Sequence, residues 1–339
     1  MKFAFTADIH LSKYGQDPIV ESTGLPERLH GLTNSLYSMV YYCQKNDIDN
    51  VVIGGDILHG KSIIHALAQN VMLQFFSDSP KMKFWVIDGN HDLSGKGEDA
   101  VSALRSLEEV PNVNWISKEP QTFENILFVP YSTKVVKQVK EGEADILVSH
   151  FGLSEGILNS GISLISSISM SDLRSKYKLI LLGHYHKPQE IIEGNTSMYY
   201  VGSPIQLDWG EKGDNKRFLI VDSKTLEVES VATKGYRKFI EVDLTNKNKD
   251  EILEIAKKAR EEGHYVKIIK RDKIDVTGFE EFNVVDKTEV DVTDRGITST
   301  MSQKEKLERY IEIKEVPLDE RQEYLDVGLE IIDRCEVVQ

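Results

Sequence analysis

The chain has 339 residues, 40% of them hydrophobic and 28% charged, a composition that is ordinary for a folded globular protein and excludes a largely disordered or low-complexity chain. The length suits one catalytic domain and a smaller second unit. The formal charge of -14, taken alone, argues against a nucleic-acid partner, because phosphate backbones are bound by clustered Lys and Arg.

The acidic residues are concentrated in the C-terminal part of the chain. Residues 280–339 carry 17 acidic and 8 basic side chains and so supply -9 of the formal charge of -14. Residues 236–279 are slightly basic and contain the cluster Lys267, Lys270, Arg271 and Lys273. This cluster is a candidate contact for DNA phosphates, although a run of charges is usually just a solvated face.

The termini and the cysteines indicate a compartment. The chain enters its first apolar run at once, without a signal peptide, and no run approaches the roughly 18 apolar residues that cross a bilayer. Cys43 and Cys335 are the only cysteines, too few for a disulfide framework. We therefore expect a cytoplasmic protein without a membrane partner.

Up to about residue 235, short β-rich runs alternate with helical patterns, which predicts an α/β layered fold. Several runs are apolar nearly throughout, as in strands covered on both faces. Leu29, Leu36 and Cys43 belong to a helical repeat that marks a crossover helix. The predicted strands are Lys2 to Thr6, Asn50 to Gly54, Phe84 to Ile87, Ile126 to Val129, Asp145 to Val148, Leu179 to Leu182, Met198 to Val201 and Phe218 to Val221.

Residues 62–77 are apolar around more than one face of a predicted helix, with Ile63, Ile64, Val71 and Phe75 among them. A helix that is apolar over so wide an arc either lies in the core or meets a partner. The sequence leaves these two interpretations equally open.

The pattern of apolar and polar residues changes after Gly235. A strand is predicted at Phe239 to Leu244, a charged helix at Lys249 to Glu262 and another strand at Tyr265 to Ile269, which together form a small α+β unit. Residues 286–303 have no hydrophobic period and are interpreted as a linker. Two amphipathic helices follow at 304–315 and 319–334. The predicted divisions are therefore 1–235, 236–285, 286–303 and 304–339.

Side chains that bind metals fall in one repeated place, just beyond the predicted strands. Because ligands of layered α/β folds bind at the carboxyl ends of the strands, these residues should meet in one crevice. Eight of the nine histidines precede residue 187, a clustering that packing does not explain. The residues concerned are Asp8 and His10, Asp56 and His59, Asn90 and His91, His150, and His184 with His186.

Each of these elements also has a structural interpretation, since a lone Asp or His after a strand usually ends a turn or satisfies the core. Together they form a mixed oxygen and nitrogen set without thiolates, which suits Mn, Fe or Zn better than Ca or Mg. Gly55, Gly89 and Gly183 would let the backbone turn sharply beside the ligands.

The motif order D-x-H, G-D, G-N-H-D, H and G-H-x-H resembles the calcineurin-like metallophosphoesterases over roughly residues 1–235. The resemblance implies a layered β-sandwich flanked by helices. It also implies that Asp8, His10 and His186 bind one metal ion, that Asn90, His150 and His184 bind another, and that Asp56 bridges them. His91 is similar to the family's catalytic histidine.

Two divalent ions about 3.5 to 4 Å apart polarise a phosphodiester, activate a water and stabilise both apical oxygens of an in-line displacement. A bridging carboxylate holds two cations at that spacing, so Asp56 is the central ligand of the predicted site.

The metal site does not select the substrate, but three features favour the Mre-type (SbcD) nucleases within this superfamily. The second motif runs Gly55-Asp56-Ile57-Leu58-His59-Gly60, without the Asp and Arg of phosphoprotein phosphatases, and His59 resembles the nuclease histidine that supports the catalytic one. Residues 183–188 and 202–206 are similar to the tail of the nuclease motif set. The unit after residue 235 looks like the nuclease capping domain.

This resemblance implies a DNA nuclease that uses two divalent ions, Mn above others, as a double-strand exonuclease and single-strand endonuclease. It also implies an SMC-type ATPase partner bound by the two C-terminal helices, and a homodimer formed through helices near 62–77 and 98–108. The alternatives are a phosphodiesterase or phosphatase acting on small molecules or phosphoproteins, and a non-catalytic scaffold. For the two C-terminal helices, a helical hairpin that folds onto its own domain is nearly as good an interpretation as a site that binds the ATPase.

Overall fold

The computed structural model describes residues 1–60, 63–95, 97–163, 166–245, 248–272, 274–287, 301–318 and 320–336. The strands are β1 (Lys2–Thr6), β2 (Ile19–Val20), β3 (Leu25–Pro26), β4 (Asn50–Ile53), β5 (Lys83–Ile87), β6 (Leu93–Ser94), β7 (Val101–Ser102), β8 (Val113–Ile116), β9 (Gln121–Phe123), β10 (Ile126–Val129), β11 (Ile146–His150), β12 (Leu179–Gly183), β13 (Gln189–Glu193), β14 (Thr196–Tyr200), β15 (Arg217–Asp222), β16 (Val228–Ala232), β17 (Phe239–Asp243), β18 (Tyr265–Lys270) and β19 (Asn283–Asp286). The helices are α1 (Glu27–Lys45), α2 (Ala66–Ser77), α3 (Val135–Glu141), α4 (Met170–Leu173), α5 (Lys249–Glu261), α6 (Gln303–Ile313) and α7 (Arg321–Glu336).

The chain divides into two compact units, one formed by Met1–Ile240 with Gly263–Tyr265 and the other by Glu241–Glu262 with Val266–Gln339. The first unit contains two six-stranded sheets, in the orders β16-β15-β1-β4-β5-β8 and β13-β14-β12-β11-β10-β9. Within the sheets, β1, β4, β5 and β8 run parallel, as do β10, β11, β12 and β14. The antiparallel pairs are β1 with β15, β15 with β16, β9 with β10 and β13 with β14. This is the mixed α/β architecture that the sequence predicts.

Three apolar layers explain why the sheets stack. Alternate side chains of β1 point to opposite faces, so Phe3 and Phe5 enter the core between the two sheets while Ala4 faces the layer covered by α1 and α2. The second sheet packs its other face against α3 and α4, where Val139 and Leu173 are buried. Sheets covered on both faces require the continuously apolar strands seen in the sequence.

The second unit has a three-stranded sheet, β17-β18-β19, with α5 burying one stripe that includes Ile252 and Ala256. Asn248 accepts a hydrogen bond from the backbone of Asp250 and caps α5. Helices α6 and α7 approach closely at Gly328, where a Cβ atom would lie 2.4 Å from Leu307 Cδ2.

Several boundaries differ from the sequence prediction. Helix α2 begins at Ala66, while residues 61 and 62 lie outside the described residues. Residues 97–109 form two 3-10 turns and the short strand β7 in place of the expected helix at 98–108. Of the predicted linker, residues 288–300 lie outside the described residues, and helix α6 begins at Gln303. Over the part of the chain that the structure describes, no helix is long and apolar enough to cross a bilayer.

Candidate dinuclear metal centre

The predicted ligands converge at the carboxyl ends of the parallel strands of both sheets. Asp8 and His10 follow β1, Asp56 follows β4 and Asn90 follows β5 in the first sheet, whereas His150 ends β11 and His184 follows β12 in the second. His186 comes two residues later on the same loop. Because both sheets present these ends to one crevice, residues 176 positions apart in the sequence come into contact at His10 and His186.

Asp56 lies between two groups of ligand atoms. Its Oδ2 is 3.6 Å from Nε2 of His10 and 3.3 Å from Nε2 of His150. On the first side, Nε2 of His10 is 3.0 Å from Nε2 of His186. On the second side, Oδ1 of Asn90 is 3.0 Å from Nε2 of His150.

The remaining two predicted ligands complete these groups. Nδ1 of His184 lies 2.9 Å from Oδ1 of Asn90. Asp8 groups with His10 and His186, and again with Asp56 and His150, so that their ligand atoms lie within 4.8 Å of one another. All seven predicted ligands are therefore brought together in two sets that share one carboxylate.

The tautomers show that the histidines fit cations. Nδ1 of His150 donates to the carbonyl of Gly54 at 2.8 Å, and Nδ1 of His186 donates to Oε1 of Glu211 at 2.8 Å. With those protons placed, Nε2 of each neutral ring presents a lone pair. Around Nε2 of His150 lie the oxygens of Asn90 and Asp56, which are both acceptors. A cation is therefore needed between these atoms, either a metal ion or, without one, a proton on Nε2.

Charge in the metal-free centre follows the same logic. Burial raises the pKa of Asp56, but the neighbouring His150 and His10 outweigh burial and hold that pKa well below its usual range. Burial lowers the pKa of His150, yet the Asp56 carboxylate raises it to about 9. Burial lowers the pKa of His184 to about 3. Without ions the centre therefore holds a proton on His150, the position that a cation would take over.

Four of the ligands adopt backbone conformations that side chains rarely take. The φ angles are +54° at Asp8, +53° at His10, +54° at Asp56 and +96° at His184. Such residues persist only where the surrounding structure determines them, and they cluster at functional sites. Here the amide of His184 donates to both oxygens of Asp8, at 2.9 and 3.0 Å.

The glycines act partly as expected. Gly55 has a φ of +89° and provides the predicted sharp turn. At Gly89 the reason is close approach, because a Cβ atom there would lie 2.2 Å from Oδ1 of Asp56. Gly183 likewise lies against the carbonyl of Gly54, which a Cβ atom would approach to 2.5 Å. The glycine requirement at these two positions is therefore steric, and differs from the turn that the sequence suggests.

His59 and His91 lie at the mouth of the centre. Their rings stack at 5.5 Å with an interplanar angle of 15°. Nδ1 of His91 donates to the carbonyl of His59 at 3.0 Å, and the backbone amide of His91 donates to Oδ1 of Asp56 at 2.7 Å. Nδ1 of His10 lies 3.3 Å from Nδ1 of His59, and the tautomer of His10 with its proton on Nδ1 leaves Nε2 for a metal. His10, His59 and His91 also form a geometrically possible metal group of their own.

The sequence reasoning missed three buried charged residues that support the ligands. Asp92 is fully buried and accepts from the amides of Asp56 (2.7 Å) and Gly89 (2.9 Å) through Oδ2, and from Leu58 (2.9 Å) through Oδ1. Glu211 fixes His186 and is itself held by Lys216, whose Nζ lies 2.7 Å from Oε2. Of these three residues, Asp92 alone could have been found from the sequence, because it belongs to the G-N-H-D motif.

The candidate DNA patch in the second unit is largely neutralised by local ion pairs. Nζ of Lys270 is 2.8 Å from Oδ2 of Asp286, and Nε of Arg271 is 3.0 Å from Oδ2 of Asp243. Lys267 lies on β18, and Lys273 is outside the described residues. A phosphate would have to displace two carboxylates, so a DNA role for this patch stays a prediction.

Comparisons with known proteins are consistent with this centre. A family model described as calcineurin-like phosphoesterase matches residues 1–188. A putative phosphoesterase of invertebrate iridescent virus 6 is 26% identical over 186 residues, which cover 52% of this chain and 65% of the viral protein. The SbcD component of the nuclease SbcCD from Bacillus subtilis strain 168 is 24% identical over 275 residues, which cover 66% of each chain. The chain thus spans slightly less than two thirds of the length of these curated relatives.

Solved structures resemble the chain more weakly. A dimetal phosphatase from Danio rerio aligns with a TM-score of 0.43 and 11% identity over 69% of this chain and 99% of the phosphatase. The nuclease MPE of Pseudomonas putida aligns with a TM-score of 0.32 and 14% identity over 68% of this chain and 87% of the nuclease.

Proposed function

Because this chain belongs to the calcineurin-like phosphoesterase family, we propose that it is a DNA nuclease with two Mn ions, acting as a double-strand exonuclease and a single-strand endonuclease. The observation that carries the proposal is the position of Asp56, whose carboxylate lies between two sets of ligand atoms from both sheets. Phosphodiester hydrolysis is the chemistry such a pair of sites performs.

In this proposal Asp8, His10 and His186 hold one ion, and Asn90, His150 and His184 hold the other, with Asp56 shared. When bound, the ions polarise the phosphodiester and activate a water for attack. The protein supplies neutral imidazoles whose outer nitrogens are fixed by Gly54 and Glu211. It also supplies strained loops that hold the carboxylates in place before a substrate arrives.

His91 is the proposed catalytic histidine. Its ring is only partly buried, and its Nδ1 is engaged by the His59 carbonyl, so Nε2 is the nitrogen that can face a substrate in the crevice. From that position it can contact the scissile phosphate and give a proton to the leaving oxygen, a role worth about 10² to 10⁴ in rate. His59 supports it by stacking.

Two features favour a nuclease over a phosphatase. The second motif continues from Asp56 through Leu58 to His59 and lacks the Asp and Arg typical of phosphoprotein phosphatases. The similarity to the SbcD component of the nuclease SbcCD also covers 66% of this chain, more than the 188 residues that the family model matches. The small α+β unit after residue 235 supports the comparison with a nuclease capping domain. Among the Mre-type nucleases, we propose that this chain is of the kind of the T-even bacteriophage recombination endonuclease small subunit.

We further propose an SMC-type ATPase as partner and recombination or repair of DNA as the setting. Helices α6 and α7 pack on each other but leave Tyr310, Ile313, Tyr324 and Val327 exposed, with Leu318 81% exposed between the helices. An apolar strip of this kind suits a helical partner. For the proposed homodimer, Ile63 is 73% exposed immediately before α2.

The decisive experiment is a Mn-dependent activity screen on linear duplex DNA, circular single-stranded DNA and bis(p-nitrophenyl) phosphate. The nuclease proposal predicts that both DNAs are degraded and that His91→Ala removes this activity. The control is His65→Ala, an exposed histidine at the start of α2 outside the ligand set. Turnover of the small diester without degradation of either DNA would replace the proposal by a small-molecule phosphodiesterase.

A further inference from the structure

A cavity of about 630 Å³ opens beside the metal centre, between the segments that follow β5, β8 and β10. Asn90 forms part of its wall, and Oδ1 of the same residue contacts His150 and His184. A molecule in this cavity therefore lies next to the reacting phosphate. We name the cavity the Tyr131 pocket and define its working surface by Leu93, Ser117, Lys118, Tyr131, Ser132 and Lys134.

The walls of the Tyr131 pocket are tied together by Asp88, a buried carboxylate that binds no predicted metal. Its Oδ1 accepts from Ser102 Oγ (2.7 Å) and Trp115 Nε1 (3.0 Å), and its Oδ2 accepts from Ser117 Oγ (2.5 Å). Its carbonyl accepts from the amide of Tyr131 at 2.8 Å. One residue thus joins all three segments, and its hydrogen bonds hold the walls of the pocket in place.

The chemistry of the pocket is amphipathic and cationic at one side. Tyr131 is partly exposed and meets the edge of His150 at a ring distance of 6.3 Å, while Leu93 adds an apolar surface. Lys118 and Lys134 are exposed at the rim, and Glu119 is an acidic residue that also lines the opening. The hydroxyl of Ser117 donates its hydrogen bond to Asp88, so its oxygen is available as an acceptor.

An aromatic ring, two ammonium groups and hydroxyls around one cavity match a nucleotide. Bases stack on aromatic side chains without regard to sequence, and Lys binds phosphate as a point charge. The volume lies within the range of small-ligand pockets and is too small for a duplex. A base must therefore leave its stack in order to enter.

We propose that the Tyr131 pocket takes the single nucleotide next to the scissile bond, with its base against Tyr131 and its outer phosphate between Lys118 and Lys134. This inference rests on the proposed function, because it assigns a binding role beside that same metal centre. It adds that the enzyme reads an unpaired nucleotide unit, so a duplex is cut where its end has opened.

The test uses thymidine carrying one p-nitrophenyl phosphodiester on its 5′ oxygen, with or without a 3′-phosphate, against methyl p-nitrophenyl phosphate in Mn. The wild type should hydrolyse the nucleoside ester with a kcat/KM about tenfold above that of the methyl ester, and the 3′-phosphate should add a further gain of several-fold. Tyr131→Leu should abolish the first gain, and Lys118→Ala with Lys134→Ala the second.

The matched control is Lys2→Ala with Lys83→Ala, which removes the same charge at the amino ends of β1 and β5, opposite the pocket. The control variant should keep methyl ester hydrolysis within about twofold. For the pocket variants, each gain is measured as the ratio of the kcat/KM values for two esters on the same preparation, so that a general loss of activity cancels. If the variants keep both gains, or if the wild type shows neither, the pocket assignment is overturned. If the wild type shows both gains and the pocket variants lose them, but the wild type degrades neither DNA, then the pocket assignment holds and the nuclease proposal is wrong.

Discussion

Nζ of Lys216 and Oε2 of Glu211 lie 2.7 Å apart, and the side chain of Lys216 is wholly buried. The other carboxylate oxygen of Glu211 accepts from Nδ1 of His186 at 2.8 Å. Lys216 also donates to the carbonyl of His186 at 2.8 Å and to Ser203 at 2.9 Å. The pair therefore holds both the ring and the backbone of one candidate ligand, and we expect Glu211 to position His186 for a metal ion.

Replacing Glu211 with Gln should weaken the binding of one metal ion and leave the binding of the other unchanged. The variant removes the carboxylate that orients His186, and loss of such a partner typically costs about 10- to 100-fold in metal affinity. Equilibrium dialysis with Mn should give a two-site isotherm in which only one Kd rises. The control is Glu229→Gln, an exposed carboxylate on β16. Equal weakening of both ions would contradict the assignment of His186 to one site.

The same variant should report on acid stability in the metal-free protein. Burial raises the pKa of Glu211, but the hydrogen bond from His186 and the charge of Lys216 outweigh it and lower that pKa to about 2, from an ordinary value of 4.5. A depressed carboxyl pKa stabilises the fold above pH 4.5, and this contribution is lost as the pH falls from 4.5 toward 2. Urea unfolding should give a stability gap between wild type and Glu211→Gln that is widest near neutral pH and closes in that window. A gap independent of pH would show that the carboxylate charge has no part in it.

His91→Ala should separate chemistry from metal binding. If His91 acts on the leaving oxygen, kcat should fall about 10² to 10⁴-fold while two ions remain bound. His59→Ala should have a smaller effect on kcat, since the backbone carbonyl that accepts from His91 is kept, and should weaken the ion held by His10. Elemental analysis of the dialysed variants checks both points. Loss of an ion in His91→Ala would instead identify His91 as a ligand.

Asp92→Asn should destabilise the protein and empty the centre. The carboxylate accepts three backbone amides, and an amide side chain would turn its NH₂ group toward at least one of them. An unsatisfied buried donor costs about 1 to 3 kcal/mol, so the free energy of unfolding should drop by at least that amount.

Asp222→Asn is the control for this change, because Asp222 also accepts two backbone amides but lies at the end of β15, where these bonds are exposed. Its effect should stay below about 1 kcal/mol. Chemical unfolding gives the free energy of unfolding of both variants. An equal decrease in the two would mean that the buried bonds of Asp92 stabilise the protein no more than the exposed bonds of Asp222.

Deleting residues 300–339 should abolish binding to an SMC-type ATPase while leaving Mn-dependent nuclease activity in place, because the deleted helices belong to the second unit and the metal ligands to the first. Pull-down and nuclease assays on the same preparation check the two halves of this expectation. Tyr310→Ser with Tyr324→Ser is a milder variant that should weaken binding without removing the helices. Retained binding in the deletion would favour the helical hairpin that serves only its own unit.

The sequence predicted that the candidate ligands would converge, because the strand ends and the motif spacing both point to one crevice. Asp8, Asp56 and Asn90 each follow an apolar strand, which parallel topology places on one edge. Glu211 and Lys216 were beyond reach, since a buried lysine contradicts the usual preference of this residue for solvent and no local pattern announces it.

The expected helix covered residues 63–65 because apolar spacing in a short window is compatible with both a helix and a folded loop. The helix at 98–108 was implied by the nuclease resemblance alone, and here Ser102 and Leu104 are held by side-chain bonds to Asp88 and Ser102 in place of helical ones. The strands β13 and β16 were missed because exposed outer strands lack the continuous apolar run that marks the inner ones.

The left-handed backbone at Asp8, His10, Asp56 and His184 means that the protein, and not the ions, dictates where the ligand atoms lie. We therefore expect the metal site to be preformed once the chain has folded, so that ions bind and dissociate without changing its shape. Exchange of one divalent metal for another should then be governed by dehydration of the ion and departure of a proton, without any rearrangement of the polypeptide.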